Sequence, residues 1–329
     1  MFQGIADQIT EAQREILRQE TLQNYYEMLE KFRKDQIREQ KKTNTAFSKF
    51  SFPHLSSTDL DQIPGLKSLF YVVFENQENE NDKKRRSFIQ MYLLLKSFPE
   101  SIRVFSDEMK RIKPEVKSKR EIRSLRILVR NIKESTMDKY FYQEVSTLLH
   151  FVEKAGEVKA RSSVLDMLLK LGEELQQRLY GAVKNLKQEE NWGSWEMFFS
   201  RKIQYDKIQP GGIDRAFEVM PAAESLMSCF SILAEPFFST RDILILNKIA
   251  DGFVEGLIDD MMQDWLVESK TKKMLSRINQ ALGTINLMVR TLTAMKEQNK
   301  NEISLMEVER KKRIEKTEEY VKKKLSQKV

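Results

Sequence analysis

The chain has 329 residues, of which 40% are hydrophobic and 32% charged, and its formal net charge is +7. Only 11 glycines and 7 prolines occur, whereas a sheet-rich fold needs many tight turns built from such residues. A single cysteine, Cys229, excludes an intrachain disulfide, and without a signal-like N-terminus we expect a cytoplasmic protein. The longest uninterrupted apolar stretches, such as 69–74, fall far short of the roughly 20 residues of a transmembrane helix, so we expect none. We predict an all-α, elongated multi-helix bundle with a long C-terminal amphipathic helix of coiled-coil type.

Charge is sorted along the chain. Residues 83–133 hold 16 basic against 5 acidic side chains, and residues 270–329 hold 16 against 7. Residues 134–269 reverse this balance with 14 against 23, and residues 1–82 hold 10 against 14. Two basic segments and an acidic middle predict docking with a protein partner, a second copy of the chain or a polyanion.

The N-terminal segment, 1–45, is predicted to be one amphipathic helix, because apolar residues recur at helical spacing over 5–42. Ser, Thr, Asp and Pro then predict a loop over 43–65, within a linker assigned to 46–86. The apolar stretch 66–74 inside this linker fits a buried strand or a buried helix, and we favour a short helix because no partner strand is evident.

Residues 87–191 are predicted to form a helical bundle that passes from basic to acidic. Pro99 is expected to stop its first helix, and Pro114 to begin the helix that carries the basic residues. That helix is expected to reach about Lys154, and a helix with a leucine seam follows over 158–190.

Residues 192–212 contain two tryptophans and a Pro-Gly-Gly breaker, which predict an aromatic-rich connection between domains. An acidic helical region over 213–269 follows. Its predicted helices run from Pro221 to Leu233 and over 241–268, the second with Thr240 as N-cap. Residues 270–329 are predicted to form one long basic helix.

The sharpest local pattern is a row of five cations spaced 4, 3, 4 and 3 residues apart, which places them along one side of a helix. The apolar row of Ile122, Leu125, Val129 and Ile132 runs beside it. A phosphate-rich ligand or an acidic partner helix fits such a row, and so does a solvated helix face. The basic row comprises Lys119, Arg123, Arg126, Arg130 and Lys133.

Asp251, Glu255 and Asp259 are four residues apart and are predicted to share a helix face. Like charges at this spacing repel each other, so this acidic face calls for a cation or for screening by water. We expect it to dock on the basic row, within the chain or between copies. A metal site is disfavoured because neither His54 nor His150 stands at metal-ligand spacing.

The last helix keeps strict heptad spacing over three heptads before the register slips near Asn299. Methionines there and at Met261 and Met262 suggest two alternatives, an adaptable groove for a partner helix or ordinary core filling. The predicted coiled-coil seam comprises Ile278, Ile285, Met288, Leu292 and Met295.

No phosphate-binding loop, dinucleotide fingerprint, metalloprotease motif or nucleophile elbow occurs in the chain. We therefore expect no catalytic residue, metal or cofactor. The sequence favours a non-catalytic structural or adaptor subunit of a larger intracellular assembly, with protein partners or self-association. The alternative is binding of nucleic acid or an acidic membrane surface through 83–133 and 270–329.

Overall fold

A computed structural model describes residues 2–49, 66, 69, 73, 82–140, 142–187, 211–267 and 271–327. Within these residues the protein is a helical bundle without β-strands, so the predicted all-α class is confirmed. The linker assigned to 46–86 and the connection assigned to 192–212 lie mostly outside the described residues.

Helix α1, Phe2–Phe47, confirms the predicted N-terminal helix and extends it. The predicted loop therefore begins too early. Thr45 donates a hydrogen bond to the Lys41 carbonyl, and the Phe47 ring stacks on Phe88 with centroids 5.1 Å apart. These contacts stabilise the last turn despite its polar sequence. Beyond it, Leu66, Leu69 and Val73 are helical and buried, as expected for a short helix.

Helix α2, Asp82–Ile112, starts inside the segment predicted as linker and continues through Pro99, so both predicted boundaries are wrong. Pro99 is exposed, whereas its neighbour Phe98 is buried. A proline on the solvent side of a helix lets water satisfy the carbonyl that loses its donor. Burial of the opposite face keeps the helix continuous.

Pro114 lies in a 3₁₀ turn, Lys113–Glu115, and not in the first turn of the next helix as predicted. Helix α3, Lys119–Lys139, begins with a capping box in which Ser118 and Glu121 satisfy each other's backbone N–H groups. The box makes Ser118 a stronger start signal than the proline.

Helix α4, Gln143–Lys187, follows a break at Tyr140, so the predicted single helix through Lys154 is wrong. Tyr140 is buried against Phe2, with ring centroids 5.3 Å apart, and its backbone leaves the helical conformation. The leucine seam of α4 is confirmed as core. Its fully buried members are Leu165, Leu168, Leu175, Leu179, Ala182 and Leu186.

Helix α5, Gly212–Ala234, starts before Pro221, which lies inside it and does not open it. The start is fixed by Asp214, whose carboxylate accepts hydrogen bonds from the N–H groups of Gly211 and Leu66, each at 2.7 Å. A 3₁₀ turn, Glu235–Phe237, ends the helix at the predicted place. Among the described residues, Gly212–Phe237 alone is long and apolar enough to cross a membrane. However, 67% of its most apolar stretch is buried inside the protein, as in a core helix.

The helix predicted over 241–268 is two helices, α6 (Thr240–Ala250) and α7 (Phe253–Val267). The break falls at Gly252, whose φ of +66° is a left-handed conformation that favours glycine. Ser239, one residue before the predicted Thr240, is the N-cap of α6 and accepts a hydrogen bond from Asp242 N–H.

Helix α8, Lys272–Ser326, confirms the predicted long C-terminal helix. The chain divides into two compact units, each described below by itself. Unit 1 holds 29 Lys and Arg against 20 Asp and Glu, and unit 2 holds 27 against 29. Unit 1 comprises residues 1–27, 110–170 and 289–329, and unit 2 comprises residues 28–109 and 171–288.

Candidate interaction sites

The basic row lies on α3 in unit 1, where most of its cations pair with carboxylates of the same unit. Lys119 reaches Glu27 of α1 at 2.9 Å, and Lys133 reaches Glu153 of α4 at 2.9 Å. Arg126 pairs with Glu20 of α1, and Arg130 with Glu134 of α3 itself. The first, second and third of these pairs link α3 to the two helices beside it.

Arg123 differs from the rest of the basic row. It is exposed and forms no ion pair with any residue that the structure describes. Its guanidinium is therefore available to a ligand from outside. Binding of a phosphate-rich ligand or an acidic helix along the whole row stays a prediction, and such a ligand would compete with four internal carboxylates.

A set of α1 side chains holds the connection that leads into α3. Gln19, fully buried, accepts a hydrogen bond from Lys117 N–H at 2.7 Å and donates one to the Glu115 carbonyl at 2.8 Å. Gln23 donates to the Lys117 carbonyl at 2.7 Å. These bonds satisfy partly buried backbone groups between α2 and α3 and fix where α3 begins. The sequence pattern gave no sign of them, because glutamine on an amphipathic helix looks like a surface residue.

The outward side of α3 carries an apolar pair that the sequence interpretation missed. Ile127 and Leu128 are 48% and 47% exposed, and the exposed Arg123 and Arg130 stand before and after them. We call Arg123, Ile127, Leu128 and Arg130 the α3 outer face. The signal was present in the sequence, since Ile127 and Leu128 fall outside the apolar row that begins at Ile122.

The acidic face lies in unit 2 and is smaller than predicted. Asp251 caps the end of α6 and precedes Gly252, so only Glu255 and Asp259 share a helix face on α7. Both are exposed, and Glu255 accepts a hydrogen bond from Gln90 at 3.2 Å. Partial desolvation and the adjacent charge of Asp260 raise the pKa of Asp259. Docking of the acidic face on the basic row stays a prediction.

The start of α7 is capped by a carboxyl group from another helix. Glu224 of α5 is partly buried, and its carboxylate accepts a hydrogen bond from Val254 N–H at 2.8 Å. Burial and the nearby charges of Asp251 and Glu255 raise the pKa of Glu224 to about 7, against the opposing effect of the Val254 bond. Glu224 thus supplies the cap that Gly252 lacks a side chain to give.

The predicted seam of α8 is largely core within the chain. Ile278, Ile285 and Leu292 are fully buried, Met288 is 3% exposed and Met295 is partly buried. The seam residues therefore already have apolar neighbours in their own chain. Met261 and Met262 are buried too, which favours core filling over an open groove.

Asn299 continues the seam as a buried amide. Its Nδ2 donates to the Val158 carbonyl of α4 at 3.2 Å, and its Oδ1 has no hydrogen-bond partner among the described atoms. A buried amide at such a heptad position fixes the register between helices at some expense of stability.

The residues weighed for catalysis or metal binding are scattered. His150 is exposed on α4, Cys229 is fully buried in α5, and His54 lies outside the described residues. The described part of the chain contains no group of three or more His, Cys, Asp or Glu able to hold a metal ion.

Comparison with protein-family models, with curated proteins and with solved structures found no match to this chain.

Proposed function

We propose that the protein is a non-catalytic structural or adaptor subunit of a larger cytoplasmic assembly, and that it binds a protein partner through the α3 outer face. The observation that carries this proposal is the apolar pair Ile127–Leu128, nearly half exposed and bracketed by Arg123 and Arg130. Neither side chain contributes much to the core from this position. Arginine is enriched in protein–protein interfaces relative to the rest of the protein surface.

The rest of α3 supports this assignment because it holds the outer face in place. Ile122 and Val129 are buried in a core shared with α1, α4 and α8. The ion pairs to Glu20, Glu27 and Glu153 fasten the flank of the helix. A face already ordered before binding loses less conformational entropy when the partner arrives.

The net positive charge of unit 1 supports a partner whose binding surface is negatively charged. With 29 basic against 20 acidic side chains, this unit attracts an acidic surface and speeds the encounter with it. The same excess supports a second candidate function, the binding of nucleic acid or an acidic membrane surface. Arg120 and Arg123, exposed in consecutive turns of α3, would then contact phosphate groups.

Tagged protein recovered from native lysate, with and without nuclease and at low and high salt, tests both functions. We expect I127S/L128S to reduce recovery of the partner by about tenfold or more, because two apolar contacts are lost. The fold should survive since both side chains are exposed. The matched control is S124A/S135A, which changes two exposed residues of the same helix and should leave recovery unchanged.

The alternative function has a distinct signature. If the bound material is lost with nuclease or at high salt, the ligand is a polyanion and not a protein. In that case R120E/R123E should abolish recovery, and I127S/L128S should leave it unchanged. A lone monomer without any retained partner, in both salt conditions, would contradict both functions.

A further inference from the structure

Helix α6 in unit 2 presents a second surface built like the α3 outer face. Leu244 and Ile245 are 62% and 44% exposed, and the exposed Arg241 and Lys248 bracket them. We call Arg241, Leu244, Ile245 and Lys248 the α6 outer face. In both helices the bracketing cations are seven residues apart, which is two helical turns or about 10 Å.

The α6 outer face is not needed to hold its helix. The opposite side of α6 buries Ile243, Leu246 and Ala250, and its start is capped by Ser239. Polar residues at positions 244 and 245 would serve a purely structural helix equally well. Exposed aliphatic side chains are common when they stand alone, but here two stand side by side between cations.

The cations of the α6 outer face have no ion-pair partner within the part of the chain that the structure describes. Neither Arg241 nor Lys248 forms an ion pair with a described residue, although Asp242 lies on the same helix. Asp242 instead accepts a hydrogen bond from the Ser239 hydroxyl at 2.6 Å. Two cations left unpaired at either end of an apolar pair complement a ligand that carries acids outside an apolar centre.

We propose that the α6 outer face binds an amphipathic helix of a partner protein, with apolar residues at its centre and carboxylates about two turns apart. Unit 2 as a whole holds 27 basic against 29 acidic side chains, so its net charge provides no long-range attraction for an extended anionic surface such as a membrane or a nucleic acid. A discrete pair of carboxylates suits two local cations better. This inference rests on the proposed class of function, partner binding, but concerns a different surface.

Site-specific photo-crosslinking tests it, with benzoylphenylalanine in place of Leu244 in the full chain expressed in cells. The expected product is a cross-linked peptide from another protein, with at least two Asp or Glu residues about seven positions apart. Its yield should fall at least tenfold in the R241E/K248E background. It should not fall with R215E/K184E, which reverses two exposed cations of the same unit outside this face.

Cross-links to lipid, to nucleic acid or to a second copy of the chain would overturn the proposal, as would the absence of any product or a yield unaffected by R241E/K248E. Measuring I127S/L128S in parallel separates the two surfaces. If I127S/L128S abolishes recovery of the α3 partner while the cross-link at position 244 persists, both surfaces bind as proposed. If the cross-link forms but I127S/L128S does not reduce recovery, only the assignment of the α3 outer face is wrong.

Discussion

At the scale of single residues, the close approach of α4 to α1 in unit 1 depends on Gly156. A Cβ atom at this position of α4 would lie 2.6 Å from the Thr10 carbonyl oxygen and 3.1 Å from the Arg14 nitrogen of α1. Both are backbone atoms, which cannot move aside as a side chain can. Thr10 adds a hydrogen bond to the Val152 carbonyl at 3.1 Å beside this contact.

We expect Gly156→Ala to lower the free energy of unfolding by about 1–3 kcal/mol, because overpacking outweighs the gain in helix propensity. Gly181→Ala in the same helix is the control, since no atom lies within 4 Å of its added Cβ. It should raise stability by up to about 1 kcal/mol. Urea unfolding of both variants measures the difference, and equal effects would contradict the close contact.

Glu224 links stability to pH. Its pKa is raised to about 7 in the folded protein, so the folded chain binds a proton that the unfolded chain has already released. This contribution is complete at pH values below the ordinary pKa of a glutamic acid and is lost as pH rises through about 7. We expect Glu224→Gln, which keeps an acceptor for Val254 N–H, to raise stability at pH 8 by an amount on the order of 3 kcal/mol or less.

Unfolding of Glu224→Gln measured from pH 5 to pH 8 checks this expectation. The variant should gain most at pH 8 and little at pH 5. The exposed Glu235→Gln in the turn after α5 serves as control and should gain at neither pH. An equal gain for Glu224→Gln at both pH values would exclude a proton as the cause.

At the scale of elements, the position of α3 depends on polar contacts outside it. Gln19 fills the hydrogen-bonding needs of Glu115 and Lys117, and Gln23 those of Lys117, just before the capping box of Ser118. The hydrophobic pattern predicted that this helix exists and which side is buried. It misplaced the helix boundaries, since those are set by the capping box and by Tyr140.

Gln19→Ala should cost about 1–3 kcal/mol, because the partly buried Lys117 N–H and Glu115 carbonyl lose their partners. Faster amide hydrogen exchange over 115–121 should accompany the loss, together with weaker recovery of the α3 partner. Gln8→Ala, an exposed glutamine of the same helix, is the control. Unchanged exchange over 115–121 in Gln19→Ala would mean that the connection is held by other contacts.

At the scale of the whole molecule, the sequence predicted the fold class well because helical periodicity survives over long elements such as α1, α4 and α8. Boundaries near proline were predicted poorly, as Pro99 and Pro221 both lie inside helices. The rule that proline ends helices considers only neighbouring residues. The apolar faces of α2 and α5 are buried by distant parts of the chain, and this burial keeps both helices continuous through proline.

The candidate sites divide in the same way. The spacing of the basic row along α3 could be read from the sequence, but its internal partners Glu20, Glu27 and Glu153 are distant in the chain. Asp251 does not belong to the acidic face, because the left-handed conformation of Gly252 breaks the helix after it. The spacing of the carboxylates in the sequence does not reveal this break. The α3 outer face was missed although Ile127 and Leu128 fall outside the apolar row that begins at Ile122.

Asn299 also limits how α8 can move. If this helix slid along its axis by one heptad, about 10 Å, Leu292 or Met306 would take the place of the amide. The Val158 carbonyl would lose the hydrogen bond from Asn299, and the amide would enter an apolar position. A displacement of α8 past α4 by one heptad is therefore unfavourable, which opposes any signal that would push this helix lengthwise within unit 1.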